Sequence, residues 1–249
     1  MSDETHPAYV YDLLAEPRSF EEVDRLQLEL SAARSQGAVP DTIILCEHPA
    51  TLTLGRASDA GAELPDGEEA YRALGWDVVR ANRGGRSTWH GPGQLVCYPI
   101  LDLHRHGKDV KLYLRRLEEA IIRTLAPLGI EGTRIEGLTG VWLENPPRKI
   151  ASIGVHISRW VTTHGYALNV DLDPAPFSDW ITACGLEDAA FTTVASELGR
   201  SVTVEEIRPL AAAAIAEVFE LELEELPVED GGTGLWPQPI HAKLGAKGG

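Results

Sequence analysis

The stretch from Arg83 to Gln94 reads RGGRSTWHGPGQ, and it places reactive side chains among five Gly or Pro residues. Glycine is used where a backbone turns sharply or lies close to another group. Arg83, Arg86, Thr88 and His90 add two cations, a hydroxyl and an imidazole. Such a loop could bind a phosphate, a metal ion or an organic group such as an acyl chain, or it could form a tight corner of the fold.

The spacing of the glycines argues against a nucleotide site. The loop contains neither G-x-x-x-x-G-K-[ST] nor G-x-G-x-x-G. The residues after it, Leu95 to Ile100, are strand formers that include Pro99, so no helix N-terminus follows to receive a pyrophosphate. We therefore expect no dinucleotide cofactor.

The histidines and cysteines do not favour a metal site. No two histidines have the H-E-x-x-H or H-x-x-x-H spacing. The three cysteines, Cys46, Cys97 and Cys184, are an odd number without C-x-x-C spacing, which argues against a disulfide framework or a structural zinc site. We expect no metal, and a reducing, cytoplasmic location.

Two interpretations of the loop remain open at this point. It binds a small organic ligand through its backbone and polar side chains, or it is a sheet corner with a buried His90 and a packed Trp89. The composition of the loop does not decide between them.

The hydrophobic pattern predicts the elements that must position the loop. Ser19 is expected to cap the first helix, with Glu22 completing a capping box. The predicted helices are 19–36, 67–74, 111–125 and 204–220, and the predicted strands are 41–46, 51–54, 77–79, 95–100, 139–143, 149–157 and 166–171. The strands cluster in the middle of the chain and helices flank them. This pattern indicates an α/β (α+β) fold, a single domain on a mixed central sheet flanked by helices.

Composition excludes some classes of function. The 249 residues carry 22 Lys and Arg against 38 Asp and Glu, a net charge of −16, which argues against binding nucleic acid through the whole surface. No apolar run approaches the roughly 20 residues that span a bilayer, so we expect no membrane segment. The basic stretch from Arg105 to Arg116 fits an acidic partner, but a solvated helix face is the simpler interpretation from charge alone.

Residues 83–100, RGGRSTWHGPGQLVCYPI, resemble the signature of the lipoate-biosynthesis octanoyltransferases. Four further stretches resemble the family's motifs in the same order. They are CEHP at 46–49, KIASIG at 149–154, THGYALN at 163–169 and ACG at 183–185, where Ala183 replaces the usual Pro. The resemblance covers roughly residues 41–198. It implies a fold similar to the catalytic domain of biotin and lipoate ligases, with the octanoyltransferase domain at 1–228 and a disordered tail at 229–249.

The resemblance also implies the site. Cys184 and Lys149 form the catalytic pair, and His48 and His164 support it. The residues implied to line an acyl pocket are Arg83, Gly84, Gly85, Arg86, Ser87, Thr88, Trp89, His90, Ser152, Ile153, Gly154, Gly165, Tyr166 and Ala167. Cys46 and Cys97 lie within apolar strand runs and are expected in the core.

The implied reaction transfers an octanoyl group from acyl carrier protein to a lysine of lipoyl domains, the first step of protein lipoylation. Cys184 would form a thioester intermediate, and Lys149 would favour its thiolate and move protons. A thioester is already activated, so no cofactor is expected. The implied acceptors are the lipoyl domains of 2-oxoacid dehydrogenase complexes and the glycine cleavage H protein. Because these partners are expected to be acidic, we expect a basic rim that includes Arg148, Arg56 and the stretch from Arg105 to Arg116.

Three other functions remain to be weighed. A ligase would form an acyl-adenylate from a free acid and ATP, and it would not need Cys184. An inactive relative would only bind the carrier protein, which the presence of both Cys184 and Lys149 disfavours. A thioester hydrolase would release free octanoate in place of an amide.

Overall fold

The computed structural model of the protein describes residues 5–177 and 190–226. The strands within these ranges are β1 (His6–Leu13), β2 (Asp41–Cys46), β3 (Thr51–Leu54), β4 (Asp77–Arg80), β5 (Thr88–His90), β6 (Gln94–Ile100), β7 (Val141–Leu143), β8 (Arg148–Ser158), β9 (Val161–Asn169), β10 (Ala190–Phe191) and β11 (Leu221–Leu226). The α-helices are α1 (Phe20–Ser35), α2 (Ala60–Glu63), α3 (Glu68–Ala73), α4 (Val110–Leu125), α5 (Val194–Leu198) and α6 (Val204–Phe219).

Eight strands form the central sheet, in the order β10-β8-β9-β6-β2-β1-β11 with β7 also paired to β8. The sheet is mixed, because β1 pairs in parallel with both β2 and β11 while β6, β8 and β9 are joined by antiparallel ladders. A second sheet of three strands has the order β4-β3-β5. The predicted α/β fold on a mixed central sheet is confirmed.

The helices begin where the sequence offers capping side chains. The Ser19 hydroxyl accepts a hydrogen bond from the backbone N–H of Glu22, 3.3 Å away, at the start of α1. Thr203 and Glu206 form a complete capping box at the start of α6. These caps satisfy N–H groups that have no partner within the helix, so the helix starts follow from local sequence.

The two faces of the central sheet are covered differently. Helices α4 and α6 bury one face in the larger apolar cluster, which includes Leu95, Tyr166 and Leu168. Helix α1 packs on the other face, against residues such as Val96 and Ala167. Successive side chains of a strand point to opposite faces, and β6 and β9 therefore contribute to both layers.

The predicted helices and strands are all present, with two kinds of difference from the structure. The sequence pattern missed β1, β5, β10 and β11 and the short helices α2 and α5. β9 begins at Val161, not at residue 166. The turn before it contains Arg159 and Trp160, both with positive φ, and it joins Ser158 directly to Val161 as a two-residue hairpin loop.

Cys46 and Cys97 are fully buried, as expected of core residues. No helix in residues 5–177 or 190–226 is both long enough and apolar enough to cross a bilayer. The predicted tail at 229–249 lies outside the described residues.

Candidate active site

A cavity of about 510 Å³, including its open mouth, lies between the central sheet and the Arg83–His90 loop. It is walled by the N-terminus of α1, the loop, and strands β6, β8 and β9. The lining residues are Phe20, Arg83, Gly85, Arg86, Ser87, Thr88, His90, Val96, Tyr98, Lys149, Ser152, Ile153, Gly154, His164, Gly165, Tyr166 and Ala167. Three motifs that are far apart in the sequence thus meet at one cavity.

Arg83 holds the loop in shape. Its side chain is 93% buried and donates to the carbonyls of Gly84 and Arg86, and also to the carbonyl and hydroxyl oxygens of Thr53 at 2.9 and 2.7 Å. A Cβ on Gly55 would lie 2.4 Å from the Gly85 carbonyl oxygen, so the loop can pack here only against a glycine. This arginine therefore supports the cavity wall, although its position on the wall also allows contact with a ligand.

Glu63, at the end of α2, fixes the same loop from outside. Its buried carboxylate accepts hydrogen bonds from the backbone N–H groups of Ser87 at 2.8 Å and Asp59 at 3.0 Å. Arg86 lies 3.7 Å from the same carboxylate and is half exposed. The loop is thus held at Arg83 and at Ser87, on either side of Gly84 and Gly85.

A chain of hydrogen bonds runs from the loop to β10. His90 Nδ1 donates to Gln94 Oε1 at 2.7 Å, and Gln94 Nε2 donates to Asn169 Oδ1 at 3.0 Å. Asn169 Nδ2 then donates to the Thr192 carbonyl at 3.1 Å. At the other end, the Thr53 hydroxyl, which accepts from Arg83, lies 3.3 Å from His90 Nε2. Every bond fits a neutral His90 with its proton on Nδ1.

Three buried histidines surround Phe20 at ring-centroid distances of 5.4 Å for His48, 6.0 Å for His90 and 6.1 Å for His164. Burial lowers the pKa of His48 to about 4 and that of His164 to about 3. Burial, with His48 and Arg83 nearby, also holds the pKa of His90 well below its ordinary value. All three rings are therefore neutral near pH 7, and this part of the cavity offers no histidine cation to an anionic ligand.

Lys149, on β8, lies at the cavity wall and is only 4% exposed. Its Nζ is 5.3 Å from the centroid of the Trp142 ring, a cation–π distance. Its backbone carbonyl accepts from Thr192 N–H at 3.0 Å, so the hydrogen-bond chain from His90 ends beside Lys149. A Cβ on Gly140 would lie 2.8 Å from Lys149 Cε, and this glycine therefore makes room for the lysine.

Residues 22–216 match the family described as the lipoyl protein ligase A/B catalytic domain. The chain belongs to this family. Octanoyltransferase from Chloroflexus aurantiacus is 48% identical over 198 residues, which cover 79% of this chain and 88% of that protein. Octanoyltransferase from Mycobacterium tuberculosis is 47% identical over 207 residues, 83% of this chain and 84% of that protein. This similarity identifies the chain as an acyltransferase enzyme.

Solved structures of the family share the fold. An archaeal bipartite lipoate protein ligase from Thermoplasma acidophilum superposes with a TM-score of 0.71 at 15% identity, covering 97% of this chain and 91% of that one. A lipoate-protein ligase A with bound ATP gives a TM-score of 0.70 at 14% identity, covering 98% of this chain and 94% of that one. The predicted likeness to the catalytic domain of lipoate ligases is confirmed at the level of the fold.

The structure brings most of the predicted pocket residues together, but Trp89 and Gly84 do not line the cavity, and neither does the predicted supporting residue His48. The Trp89 ring points away from the cavity and packs against Trp76 and Phe177 in a separate cluster. Gly84 lies behind the wall, where its N–H donates to the Val155 carbonyl at 2.9 Å. His48 lies behind Tyr98, with Nε2 accepting from the tyrosine hydroxyl at 2.8 Å and Nδ1 donating to the Arg18 carbonyl at 2.6 Å.

The predicted basic rim and the predicted Cys184 have different outcomes. Arg148 does not line the cavity, because it pairs with Glu197 at 2.6 Å and lines a separate polar groove. Arg56 is exposed, and it contributes to lowering the pKa of His156, where burial is the larger cause. Cys184, together with Ala183, lies outside the described residues.

Sequence reasoning missed Phe20, Tyr98, Glu63 and the Gln94–Asn169 pair. Gln94 and Asn169 belong to the quoted motifs HGPGQ and HGYALN, so the sequence marked both residues. It did not indicate that they hydrogen-bond to each other across the sheet. Phe20 and Glu63 belong to helices outside every motif, and only the fold brings them to the loop. Among the described residues, no cluster of three or more His, Cys, Asp and Glu side chains could hold a metal ion.

Proposed function

We propose that the protein transfers an octanoyl group from acyl carrier protein to a lysine of lipoyl domains, through a thioester on Cys184. The observation that carries the proposal is a small, mostly neutral cavity with one buried lysine on its wall. The neutral histidines suit an uncharged acyl chain better than a free carboxylate. The similarity to named octanoyltransferases supports the choice of acyl group.

The described residues on either side of Cys184 support its pairing with Lys149. The rings of Phe177 and Phe191, which lie on either side of Cys184 in the sequence, stack with their centroids 4.3 Å apart. Phe191 pairs with Lys149 in the register of β10 and β8. The connection that contains Cys184 is therefore attached beside Lys149.

The chemistry proposed for the pair is a two-step acyl transfer. In the first step the Cys184 thiolate attacks the thioester carbonyl of the carrier protein, and the carbon–sulfur bond to the carrier breaks. The released thiolate takes a proton from Lys149. In the second step the neutral amine of the acceptor lysine attacks the new thioester, giving an amide and regenerating the Cys184 thiolate. The proton lost by the amine returns to Lys149.

The structure suits Lys149 to this role. The amine lies beside the face of the Trp142 ring, and the lysine is only 4% exposed at the cavity wall. A nearby ammonium group lowers the pKa of a cysteine thiol, which is otherwise mostly protonated at neutral pH. The Thr192 N–H holds the backbone of Lys149 in place.

Intact-protein mass spectrometry after incubation with octanoyl carrier protein tests the proposal directly. The wild-type protein should gain one octanoyl group, and Cys184→Ala should gain none. Cys46→Ala is the matched control, because Cys46 is fully buried and burial raises the pKa of its thiol well above the ordinary value. An octanoyl adduct on Cys184→Ala would remove Cys184 from the nucleophile role.

A second experiment separates proton transfer from charge. Lys149→Met should reduce transfer by two to four orders of magnitude, about the contribution of a positioned acid–base group. Lys149→Arg retains the charge, but a guanidinium group does not release its proton near neutral pH, so this variant should remain impaired. Wild-type turnover by Lys149→Arg would limit the lysine to an electrostatic role.

The same assays address the ligase and hydrolase alternatives. Octanoate with ATP should give no octanoylated lipoyl domain, whereas octanoyl carrier protein should. The product should be the amide, with little free octanoate. Modification from octanoate and ATP at the rate seen with the carrier protein would replace the proposal with an adenylating ligase.

A further inference from the structure

His164 breaks the regular alternation of β9. Its φ is +56°, in the left-handed region that residues other than glycine seldom occupy. Two residues to either side, Thr162 lies near Tyr113 of α4, and Tyr166 packs in the cluster under α4 and α6. His164 instead faces α1, where its ring stacks on Phe20 at an interplanar angle of 11°. The left-handed backbone has turned one side chain from the apolar core to the cavity.

Neighbouring groups hold His164 in this orientation. Its backbone N–H donates to Gln27 Oε1 at 2.6 Å, and its ring meets the edge of Tyr98 at a centroid distance of 6.1 Å. Its Nε2 lies 3.7 Å from Asp24 Oδ1, beyond hydrogen-bond range. Phe20 of α1 and Tyr98 of β6 thus contact the ring on two sides, and Gln27 of α1 holds its backbone.

The imidazole also has an unusual hydrogen-bond balance. Nδ1 is buried and has no hydrogen-bond partner among the described residues, a condition that native structures usually avoid. Left-handed backbone in a non-glycine residue is a second local strain, and such strain tends to concentrate at functional sites. Both features occur at one residue of the cavity wall.

The position of His164 relative to Lys149 suggests what the ring does. His164 pairs with Val155, six residues along β8 from Lys149, so the two backbone positions are separated by roughly 20 Å at about 3.3 Å per residue. Both side chains line the cavity and shorten this span. An extended eight-carbon chain with bonds of about 1.5 Å covers roughly 9 Å, which is shorter than this backbone separation.

We propose that His164 is a specificity-determining residue, whose ring closes the end of the acyl slot remote from Lys149 and so limits the length of the transferred chain. The inference rests on the proposed function, because it assigns the far end of the same slot. Asp24 lies behind the ring and its side chain is 30% exposed. Removing the imidazole therefore extends the slot towards the surface beside α1.

The test compares transfer of C6, C8, C10 and C12 acyl groups from carrier-protein thioesters to a lipoyl domain. His164→Gly removes the ring and accepts positive φ without strain, and His164→Asn keeps a smaller polar side chain that also tolerates this backbone. The kcat/KM ratio of C12 to C8 should rise about tenfold in the glycine variant and less in the asparagine variant. Arg159→Gly is the control, since Arg159 has a φ of +49° in the exposed turn between β8 and β9, and its ratio should match the wild type.

The outcomes distinguish the two proposals. A wild-type protein that transfers no octanoyl group from the carrier overturns the proposed function. A wild-type protein that transfers octanoyl, with C12 to C8 ratios within twofold of wild type in both His164 variants, overturns the role of His164 alone. Thermal melting of each variant separates a change of preference from a loss of folded protein.

Discussion

Along β6, Leu95 and Cys97 enter the apolar cluster under α4 and α6, whereas Val96 and Tyr98, which alternate with them, line the cavity on the opposite face. The first face packs against a cluster of mainly apolar side chains. The second buries histidines and amides that are useful only when every hydrogen bond is in place. One strand thus serves stability with one set of residues and the site with the other.

The largest expected effect on stability is on the α4 face. Leu117→Ala removes a fully buried side chain from the apolar cluster, and it should lower the free energy of unfolding by about 2–5 kcal/mol. Turnover measured well below the melting temperature should change little. Leu30→Ala on α1 is the matched variant, and it should reduce both quantities because α1 carries Phe20 and Gln27 to the site. Equal losses of turnover in the two variants would contradict the division of the sheet into one face for stability and one for the site.

The next effect concerns pH and the α1 face. The pKa of His48 falls from 6.5 to about 4 on burial, so between these values the unfolded chain binds a proton that the folded chain does not. The contribution of His48 to the free energy of unfolding should be fully present above pH 6.5 and should be lost as the pH falls towards 4. The loss is about 3 kcal/mol, at about 1.36 kcal/mol for each unit of pKa shift. His164 acts in the same direction.

Denaturant titrations of wild type and His48→Asn between pH 7 and 4.5 measure this effect. The wild type should show the steeper dependence. Burial raises the pKa of Asp24 and Glu47, which opposes the trend in both proteins and so cancels in the comparison. Equal slopes in the two proteins would contradict a neutral, buried His48.

A smaller effect is expected from the hydrogen-bond chain. Gln94→Leu keeps the volume but leaves His90 Nδ1 and Asn169 Oδ1 without their partners, which should lower the free energy of unfolding by about 1–3 kcal/mol. Transfer should also fall, because the chain ends at Thr192 beside Lys149. Gln36→Leu, at an exposed position, should change neither. Unchanged turnover in Gln94→Leu would show that the chain supports the fold alone.

The smallest effect is expected for a surface ion pair that lies away from both faces of the central sheet. Arg72 pairs with Glu68 at 2.9 Å and Glu69 at 2.7 Å on the surface of α3. Solvent and salt screen such pairs, so Arg72→Ala should leave the melting temperature and turnover within experimental error. A clear loss in either would show that the surface of α3 is coupled to the site.

The sequence predicted the elements whose signals are local. Ser19 and the spacing of apolar residues predict α1, an apolar run predicts β2, and alternation predicts β3. β11, LELEEL, was missed although Leu and Glu alternate over its first four residues, and its strand state depends on pairing with the distant β1. The start of β9 was misplaced because Arg159 and Trp160 adopt positive φ without the glycine or asparagine that usually announces such a turn.

The site was predicted by motif and not by geometry. Lys149 and the Arg83–His90 loop came from the family resemblance, and the structure places them at one cavity. The roles of the residues could not be read in the same way: Trp89 belongs to a motif but packs elsewhere, while Phe20 belongs to none and lies among the histidines. Side-chain direction across a sheet is a tertiary property, and a conformation such as that of His164 leaves no mark in the sequence.

The parallel pairing of β1 with β11 has a consequence for biosynthesis. The pairing joins His6 to Leu221, which is synthesised 215 residues later. A ribosome that adds about 5–20 residues each second needs more than ten seconds for this length. An uncovered strand edge is a template for pairing with other chains, and this edge of β1 stays without its partner in the nascent chain until β11 emerges.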